Sequence, residues 1–295
     1  MAAVLKPYLK FQSVNGVKLA YFEWGQPRAG QPTLLFVHAT GFHGRVWDRV
    51  IESFVDAYHV ISLEQRGHGR SDPVPVEHWQ TFGEDLVGFI DALGLQSLFG
   101  IAHSMGAHAM VDAAARQPSF ARMLLLDPTI PAPEAFQPSV DYQTSFPNGV
   151  HPATKRRRTF ASPEEMIERL RPKGSFSLFE PRVLRDYCVY GLVPRPEGGF
   201  ELLCKPEVEA QVYLTARTNA GIHQSVSRVD VPVVVMRAQE PPAERNLVDF
   251  SYSPTWPGLA ARFPQGVDLH LPDCSHFIPM QVPDQVIAQI YAQLA

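Results

Sequence analysis

The sequence predicts an α/β fold with a mostly parallel central sheet, helices on both faces and an inserted helical segment. Strand-like apolar runs alternate along the chain with helix-like stretches, which is typical of a parallel sheet covered on both sides. The chain has 295 residues, enough for one large domain with an insertion. About a hundred residues separate Asp127 from Val231, where a crossover between parallel strands needs only a dozen or so.

The net charge and hydrophobic content of the chain indicate which kinds of binding partner to expect. The formal net charge is −4 and 45% of the residues are hydrophobic, which is typical of a globular protein rather than a nucleic-acid binder or a disordered chain. The N-terminal stretch lacks the apolar core of a signal peptide, and no apolar run is long enough to span a bilayer. We expect a small-molecule partner, no nucleic acid and no membrane. The oligomeric state is not predicted.

Cysteine usage favours a reducing compartment. The chain has three cysteines, an odd and sparse set without the CxxC spacing of zinc or redox sites: Cys188, Cys204 and Cys274. We therefore expect a cytoplasmic protein.

The first elements follow from residues 11–64. Asn15-Gly16 lies between two strand-like runs and predicts a hairpin, so the sheet should begin with an antiparallel edge. The unbroken apolar run of 32–38 predicts a buried strand, 46–58 a helix and 59–64 another strand.

The next elements lead to a serine. Thr81 and Glu84 have capping-box spacing, and Gly94 is a stop signal. Residues 81–94 therefore predict a helix of roughly three turns. Residues 97–102 then predict a strand, and 105–116 an alanine-rich helix.

Ser104 would occupy a sharp turn between that strand and that helix. Ala102 and Gly106 provide the small residues that such a turn needs two positions before and after the serine. The turn would lift the hydroxyl out of the sheet and aim the amide of Met105, at a helix N-terminus, toward a developing oxyanion. Alternatively, Ser104 only caps the helix.

A serine nucleophile needs a base, and His276 is the candidate. It lies between 266–272, which predicts the last strand, and the amphipathic terminal helix of 283–294. This position is at the carboxyl edge of the sheet, where ligand sites gather. His103 adjoins the serine in sequence, but neighbours on a strand point to opposite faces, so we expect it to be structural.

Four segments, taken in order, resemble the α/β-hydrolase family: 37–47 (VHATGFHGRVW), 66–72 (RGHGRSD), 102–107 (AHSMGA) and 274–280 (CSHFIPM). The resemblance implies the α/β-hydrolase fold, with residues 1–129 and 226–295 forming the core and 130–225 an inserted lid. It also implies structural roles for His38 and His68, and chemistry that requires no metal and no cofactor.

The carboxylate that orients the histidine has two candidates. In the commonest arrangement of the family the acid follows the strand before the terminal histidine, where this chain offers Glu240 and Glu244. In some branches, such as the haloalkane dehalogenases, it follows the strand after the nucleophile helix, where Asp127 stands. We favour Asp127, with Glu240 as the alternative. An aspartate before a proline is also a plain turn former.

The resemblance further implies a second oxyanion donor after the first central strand. The segment 38–44 (HATGFHG) places that donor at the amide of Thr40, with Ala39 where the family usually has glycine. Phe42 and Trp47 follow, and either could simply belong to the core.

The predicted lid contains two helix-like stretches, one that starts with Ser162, Pro163 and Glu165 and one that ends at Gly191. Lids of the family shape specificity, so aromatic residues here and beside the turn could line an acyl or aromatic pocket, or form the lid's own core: Phe42, Phe176, Phe179, Tyr187, Tyr190 and Phe277.

Two further segments stand out. The basic run 155–158 (KRRR) could suggest an anionic substrate or a nucleic-acid patch, but we expect a solvated face. The proline-rich segment 239–266 is longer than the family needs, and no role is predicted for it.

Together these features predict a serine hydrolase that cleaves a carboxylic ester or similar acyl bond of a small, apolar or aromatic substrate through an acyl-enzyme on Ser104. Two alternatives remain open. One is a carbon–carbon bond hydrolase of the same fold, and the other is a non-catalytic module that binds a small molecule.

Overall fold

A computed structural model describes residues 6–136, 146–242 and 249–295. Its strands, in chain order, are β1 (Tyr8–Val14), β2 (Val17–Trp24), β3 (Thr33–Val37), β4 (Val60–Leu63), β5 (Leu98–His103), β6 (Phe120–Leu126), β7 (Thr159–Phe160), β8 (Leu192–Pro194), β9 (Phe200–Leu202), β10 (Val233–Arg237) and β11 (Gly266–His270).

The central sheet has eight strands in the order β1-β2-β4-β3-β5-β6-β10-β11. The pairs from β4 to β11 are parallel, whereas β1 pairs antiparallel with β2 and β2 with β4. The hairpin predicted at Asn15-Gly16 joins β1 to β2, and both turn residues have positive φ, 48° and 74°. The predicted fold class, a mostly parallel sheet with an antiparallel edge, is therefore confirmed.

The helices are α1 (Asp48–Ile51), α2 (Gln80–Ala92), α3 (Met105–Ala114), α4 (Pro163–Leu170), α5 (Pro181–Tyr190), α6 (Pro206–Leu214), α7 (Ile222–Arg228), α8 (Ile278–Gln281) and α9 (Pro283–Leu294). In the part of the chain that the structure describes, no helix is both long and apolar enough to cross a bilayer.

The sheet has an apolar core on each face. Along β3, Leu34 and Phe36 belong to the core that contains α1 and α9, while Leu35 and Val37 belong to the core that contains α2, α3 and α7. Successive side chains of a strand point to opposite faces, so an unbroken apolar run is what a doubly covered strand requires.

Two helix predictions were wrong in detail. The helix expected over 46–58 is only a short 3-10 turn followed by α1, because the amides of Ser53 and Phe54 bond to carbonyls three residues back and tighten the chain into turns. The capping box does not form either. Helix α2 begins at Gln80, and Trp79 precedes it with a buried indole that donates to the carbonyl of Val212 at 2.8 Å.

The segment between β6 and β10 contains α4, α5 and α6 and a three-stranded sheet in the order β7-β9-β8. Ser162 accepts a hydrogen bond from the amide of Glu165, and α5 ends at Gly191, so both helix predictions here are confirmed. Helix α7 packs on α3 in the core of the sheet. The division at residue 225 therefore falls inside a core helix, and the lid itself stays a prediction.

Candidate active site

Ser104 occupies the sharp turn between β5 and α3. Its backbone is strained, with φ 56° and ψ −117°, and its side chain makes no capping hydrogen bond to α3. A cap is therefore not what this serine provides. A Cβ on Gly106 would lie 2.5 Å from the carbonyl oxygen of His38 and 2.6 Å from that of Val37. The turn thus requires glycine there, because α3 passes directly against the end of β3.

Three of the predicted residues form one hydrogen-bonded chain. The Nε2 atom of His276 lies 2.9 Å from Oγ of Ser104, and its Nδ1 atom lies 2.7 Å from Oδ2 of Asp127. A carboxylate at Nδ1 holds the proton on that nitrogen, so Nε2 is left to accept the serine proton. All three side chains are at most 6% exposed, so the array is shielded from water.

Glu240, the alternative acid, does not join this array. It is exposed, and its carboxylate lies 3.2 Å from a guanidinium nitrogen of Arg237. Glu244 lies outside the described residues.

Asp127 is held by contacts that the sequence did not predict. Its Oδ1 atom accepts hydrogen bonds from the amide of Ala238 and the hydroxyl of Thr255, both at 3.1 Å, and from the hydroxyl of Ser253. Ser253 and Thr255 belong to the proline-rich segment for which no role was predicted. Short hydroxyl residues in a loop carry no sequence signal of such a contact.

A second hydroxyl lies against the candidate nucleophile. The Oγ1 atom of Thr129 is 3.0 Å from Oγ of Ser104, and the amide of Thr129 donates to the carbonyl of Ser104 at 3.2 Å. No sequence pattern indicates a role for Thr129, which follows Asp127 and Pro128 after the end of β6.

The two residues predicted to provide the oxyanion donors contact each other through their side chains. The hydroxyl of Thr40 is 3.3 Å from the sulfur of Met105, and Met105 is the first residue of α3. The backbone amides of Thr40 and Met105 donate no hydrogen bond to any group of the described residues. Two unengaged amides, one at a helix N-terminus, can bind a negative oxygen.

The orientation of the His103 side chain differs from the prediction. It does not face away from the site, since it donates from Nε2 to the carbonyl oxygen of His276 at 2.8 Å and its ring centroid is 4.9 Å from that of His276. The reason is its place at the last position of β5, where the strand turns. Burial lowers the pKa of His103 well below its usual value, so the ring is neutral.

His38 and His68 are buried hydrogen-bonding residues. His38 donates from Nδ1 to the carbonyl of Ala39 at 2.8 Å and accepts the amide of Gln65 at Nε2 at 3.1 Å. His68 bonds to the carbonyl of Arg66, and burial lowers the pKa of His68 to about 4.

A cavity of about 550 Å³ lies beside the array: its lining includes Phe277, the residue after His276, but none of the three residues of the array. Of the predicted pocket residues, Phe42, Phe176, Tyr187 and Phe277 line it together with Thr40. Phe250 also lines it, and its ring is stacked on His276 with the centroids 5.9 Å apart.

The other predicted aromatic residues lie elsewhere. Phe179 packs behind Phe176, with ring centroids 5.1 Å apart, and does not line the cavity. Tyr190 does not line it either, because its ring packs under the guanidinium of Arg45 at 3.9 Å. Trp47 is a core residue.

The basic run is not simply a solvated face. Lys155, Arg156 and Arg157 line the cavity, whereas Arg158 forms an exposed ion pair with Glu207. The expectation was wrong for Arg156 in particular. This side chain is only 24% exposed, forms an ion pair with the buried Glu209 and donates to the hydroxyl of Tyr187 at 2.7 Å.

No metal-binding group is found in the described ranges: nowhere in them do three or more His, Cys, Asp or Glu residues lie where they could hold an ion. Cys188, Cys204 and Cys274 are free and buried.

Comparison with curated proteins finds relatives over part of the chain. The chain is 37% identical over 94 residues to a non-heme chloroperoxidase, CPO-A1, from Kitasatospora aureofaciens. The aligned stretch covers 31% of this chain and 33% of that protein. It is 30% identical over 107 residues to the bifunctional esterase/perhydrolase DCH of Acinetobacter calcoaceticus, covering 36% and 38%. The matched stretches thus span 33% and 38% of the length of these two relatives.

Among solved structures, that of E-2-(acetamidomethylene)succinate hydrolase is similar over nearly all of the chain. It matches with a TM-score of 0.74 and 19% identity, covering 97% of this chain and 98% of the other. At that identity the likeness concerns the fold. The profile of the alpha/beta hydrolase family matches residues 34–289. The match includes the strands from β4 to β11, the serine turn and the terminal histidine, and the chain therefore belongs to the α/β-hydrolase family.

Proposed function

We propose that this protein is a serine hydrolase that cleaves a carboxylic ester or a related acyl bond of a small substrate through an acyl-enzyme on Ser104. The observation that carries the proposal is the continuous chain of hydrogen bonds from Ser104 through His276 to Asp127. Such an array activates a hydroxyl that is a weak nucleophile by itself. Its completeness supports turnover rather than mere capture of a ligand.

The mechanism follows from the positions of these atoms. As Oγ of Ser104 forms a bond to the substrate carbonyl carbon, its proton passes to Nε2 of His276, and the carboxylate of Asp127 stabilises the imidazolium. The amides of Thr40 and Met105 bind the oxyanion. The tetrahedral intermediate then expels the alcohol, which takes the proton from Nε2 and leaves the acyl group on Ser104.

Deacylation repeats these steps with water. His276 accepts a proton from the water as its oxygen attacks the acyl carbon, and the same amides bind the second oxyanion. The intermediate releases the acid, and the proton on Nε2 returns to Oγ of Ser104.

The cavity supports a substrate with an apolar or aromatic body. Its volume of about 550 Å³ suits a small molecule, and Phe42, Tyr187 and Phe277 form its buried end. The esterase among the curated relatives is consistent with an acyl bond as the point of cleavage.

The proposal is tested with a fluorophosphonate and a substrate panel. The wild-type protein should be labelled stoichiometrically at Ser104 and should hydrolyse p-nitrophenyl esters in preference to β-diketones. Ser104→Ala should lower kcat by ~10⁴-fold or more. The exposed Ser227→Ala is the control and should retain both properties. Labelling at another residue, or turnover without labelling, would contradict the nucleophile, and a preference for diketones would favour carbon–carbon bond cleavage.

A further inference from the structure

The cavity beside Ser104 has two chemically different ends. Its buried end is formed by Thr40 and by the aromatic rings of Phe42, Tyr187 and Phe277, each less than 8% exposed. Its exposed end is formed by four cationic side chains of the inserted segment, Lys155, Arg157, Arg169 and Lys173, while a fifth, Arg156, lies against Tyr187 at the buried end.

The carboxylates of the cavity lining do not balance the positive charge at the exposed end. Only two carboxylates of the described residues line the cavity, Glu209 and Asp249, and Glu209 is engaged by Arg156. Arg157 forms its salt bridge with Glu165. Of the five cations that line the cavity, three form no salt bridge to the described residues and are exposed: Lys155, Arg169 and Lys173.

These cations come from separate parts of the segment. Lys155 ends a 3-10 turn, Arg169 lies in the last turn of α4, and Lys173 lies just before the next 3-10 turn. Like charges brought to one rim repel one another, and this cost is offset when an anion binds among them. A chain with a net charge of −4 therefore concentrates positive charge at the mouth of its candidate active site.

We propose that the substrate carries a carboxylate remote from the bond that is cleaved, and that Lys155, Arg169 and Lys173 bind this carboxylate at the mouth while the apolar part reaches Ser104. This inference rests on the proposed function and adds the substrate class: a carboxylate-bearing ester rather than a neutral one. Three cations at an exposed rim attract the anion from a distance, and added salt strongly screens this attraction.

The test uses matched pairs of esters. One pair carries the charge in the acyl part, 4-nitrophenyl hydrogen glutarate beside its methyl-capped analogue, and the other in the alcohol part, 4-acetoxybenzoate beside its methyl ester. For each pair the ratio of kcat/KM, anionic to neutral, is measured for the wild type and for the triple variant Lys155→Gln, Arg169→Gln, Lys173→Gln. A control triple variant, Arg158→Gln, Arg171→Gln, Arg195→Gln, removes the same charge from the same segment outside the cavity lining.

We expect the triple variant to lower the ratio by about tenfold or more for at least one pair, and the control triple to keep the wild-type ratio within about twofold. Raising NaCl toward ~1 M should lower the wild-type ratio in the same direction. A ratio that is equal in all three proteins and insensitive to salt, with hydrolysis intact, would overturn the inference and leave the proposed function standing.

Failure of the proposed function gives a different result. In that case no ester is hydrolysed by the wild type at all. Binding of the four esters to the Ser104→Ala protein, measured by thermal shift, then decides the inference separately, since an equal shift from charged and neutral esters would overturn it. Thermal melting of each variant identifies any loss of folding.

Discussion

The hydroxyl of Ser253 donates a hydrogen bond to the carboxylate of Asp127, although 126 positions separate the two residues in the chain. The hydroxyl of Thr255, two residues further on, lies 3.1 Å from the same oxygen and 2.7 Å from the carbonyl oxygen of Pro128. With Oδ1 occupied in this way, Oδ2 is the oxygen that faces His276. The segment after β10 therefore holds the candidate acid in one orientation.

Removing these hydroxyls should impair turnover more than binding. We expect Ser253→Ala and Thr255→Val each to lower kcat by about tenfold, because the loss of one hydrogen bond of 1 to 1.5 kcal/mol frees the carboxylate to rotate. KM should stay within about twofold, since neither side chain lines the cavity. Steady-state kinetics on a p-nitrophenyl ester separate the two parameters. Ser227→Ala is the control, and a change in KM alone would argue against a positioning role.

Replacing the acid tests its assignment. Asp127→Asn should lower kcat by up to ~10⁴-fold, because an amide at this position favours the wrong tautomer of His276. Glu240→Gln should have no measurable effect, since Glu240 is exposed and paired with Arg237. Circular dichroism confirms that each variant folds. Full activity of Asp127→Asn, together with a loss in Glu240→Gln, would transfer the role to Glu240.

The serine turn is sensitive to a single methyl group. Gly106→Ala would bring a Cβ to 2.5 Å from the carbonyl of His38, so backbone must move. We expect the free energy of unfolding to fall by about 3 kcal/mol, together with a large loss of activity. Gly221→Ala is the matched control, because its Cβ would meet only a side-chain oxygen of Asn219 at 3.4 Å. Urea denaturation measures the free energy of unfolding of both variants. Equal stability of Gly106→Ala and Gly221→Ala would contradict the crowding argument.

A buried carboxylate makes stability depend on pH. Burial, together with the nearby carboxylate of Asp48, raises the pKa of Asp186 to about 6, against the opposing effects of Arg182, Arg185 and Arg45. The folded protein thus binds this proton more tightly than the unfolded chain does. Stability should fall as pH rises from about 4 to about 6 and stay reduced above that.

Asp186→Asn removes this effect. We expect the variant to be more stable than the wild type by about 1 to 2 kcal/mol at pH 8, with the difference vanishing near pH 4. Thermal melting across this pH range is the measurement. Glu168→Gln, on an exposed position of α4, is the control and should give no pH-dependent difference. A variant less stable than the wild type at pH 8 would show that Asp186 is stabilising as a carboxylate.

Local sequence patterns predicted much of the fold. The unbroken run of β3, the turn signal at Asn15-Gly16 and the cap at Ser162 each reflect physics that acts within a few residues. The start of α2 is a case in which a local pattern did not predict the structure. Trp79 is fixed there by Val212, more than a hundred residues away, and such a contact overrides a local capping pattern.

The site divides in the same way. Ser104 and His276 stand in short patterns whose residue types the chemistry demands, so they could be proposed from the sequence. Thr129, Ser253 and Thr255 could not, because a hydroxyl that holds a partner across the fold resembles any other loop hydroxyl. The role of Lys155 also depends on the return of α4 to the same rim, which its own run of charges does not encode.

The two end members of the array, Ser104 and Asp127, directly follow neighbouring strands, and His103 at the end of β5 pairs in register with Leu126 at the end of β6. Because each is the next residue after its strand, one ladder fixes their spacing. His276 alone arrives from the far end of the chain. A chain break before residue 272 would therefore place the candidate nucleophile and acid on one fragment and the candidate base, together with the core helix α9, on the other.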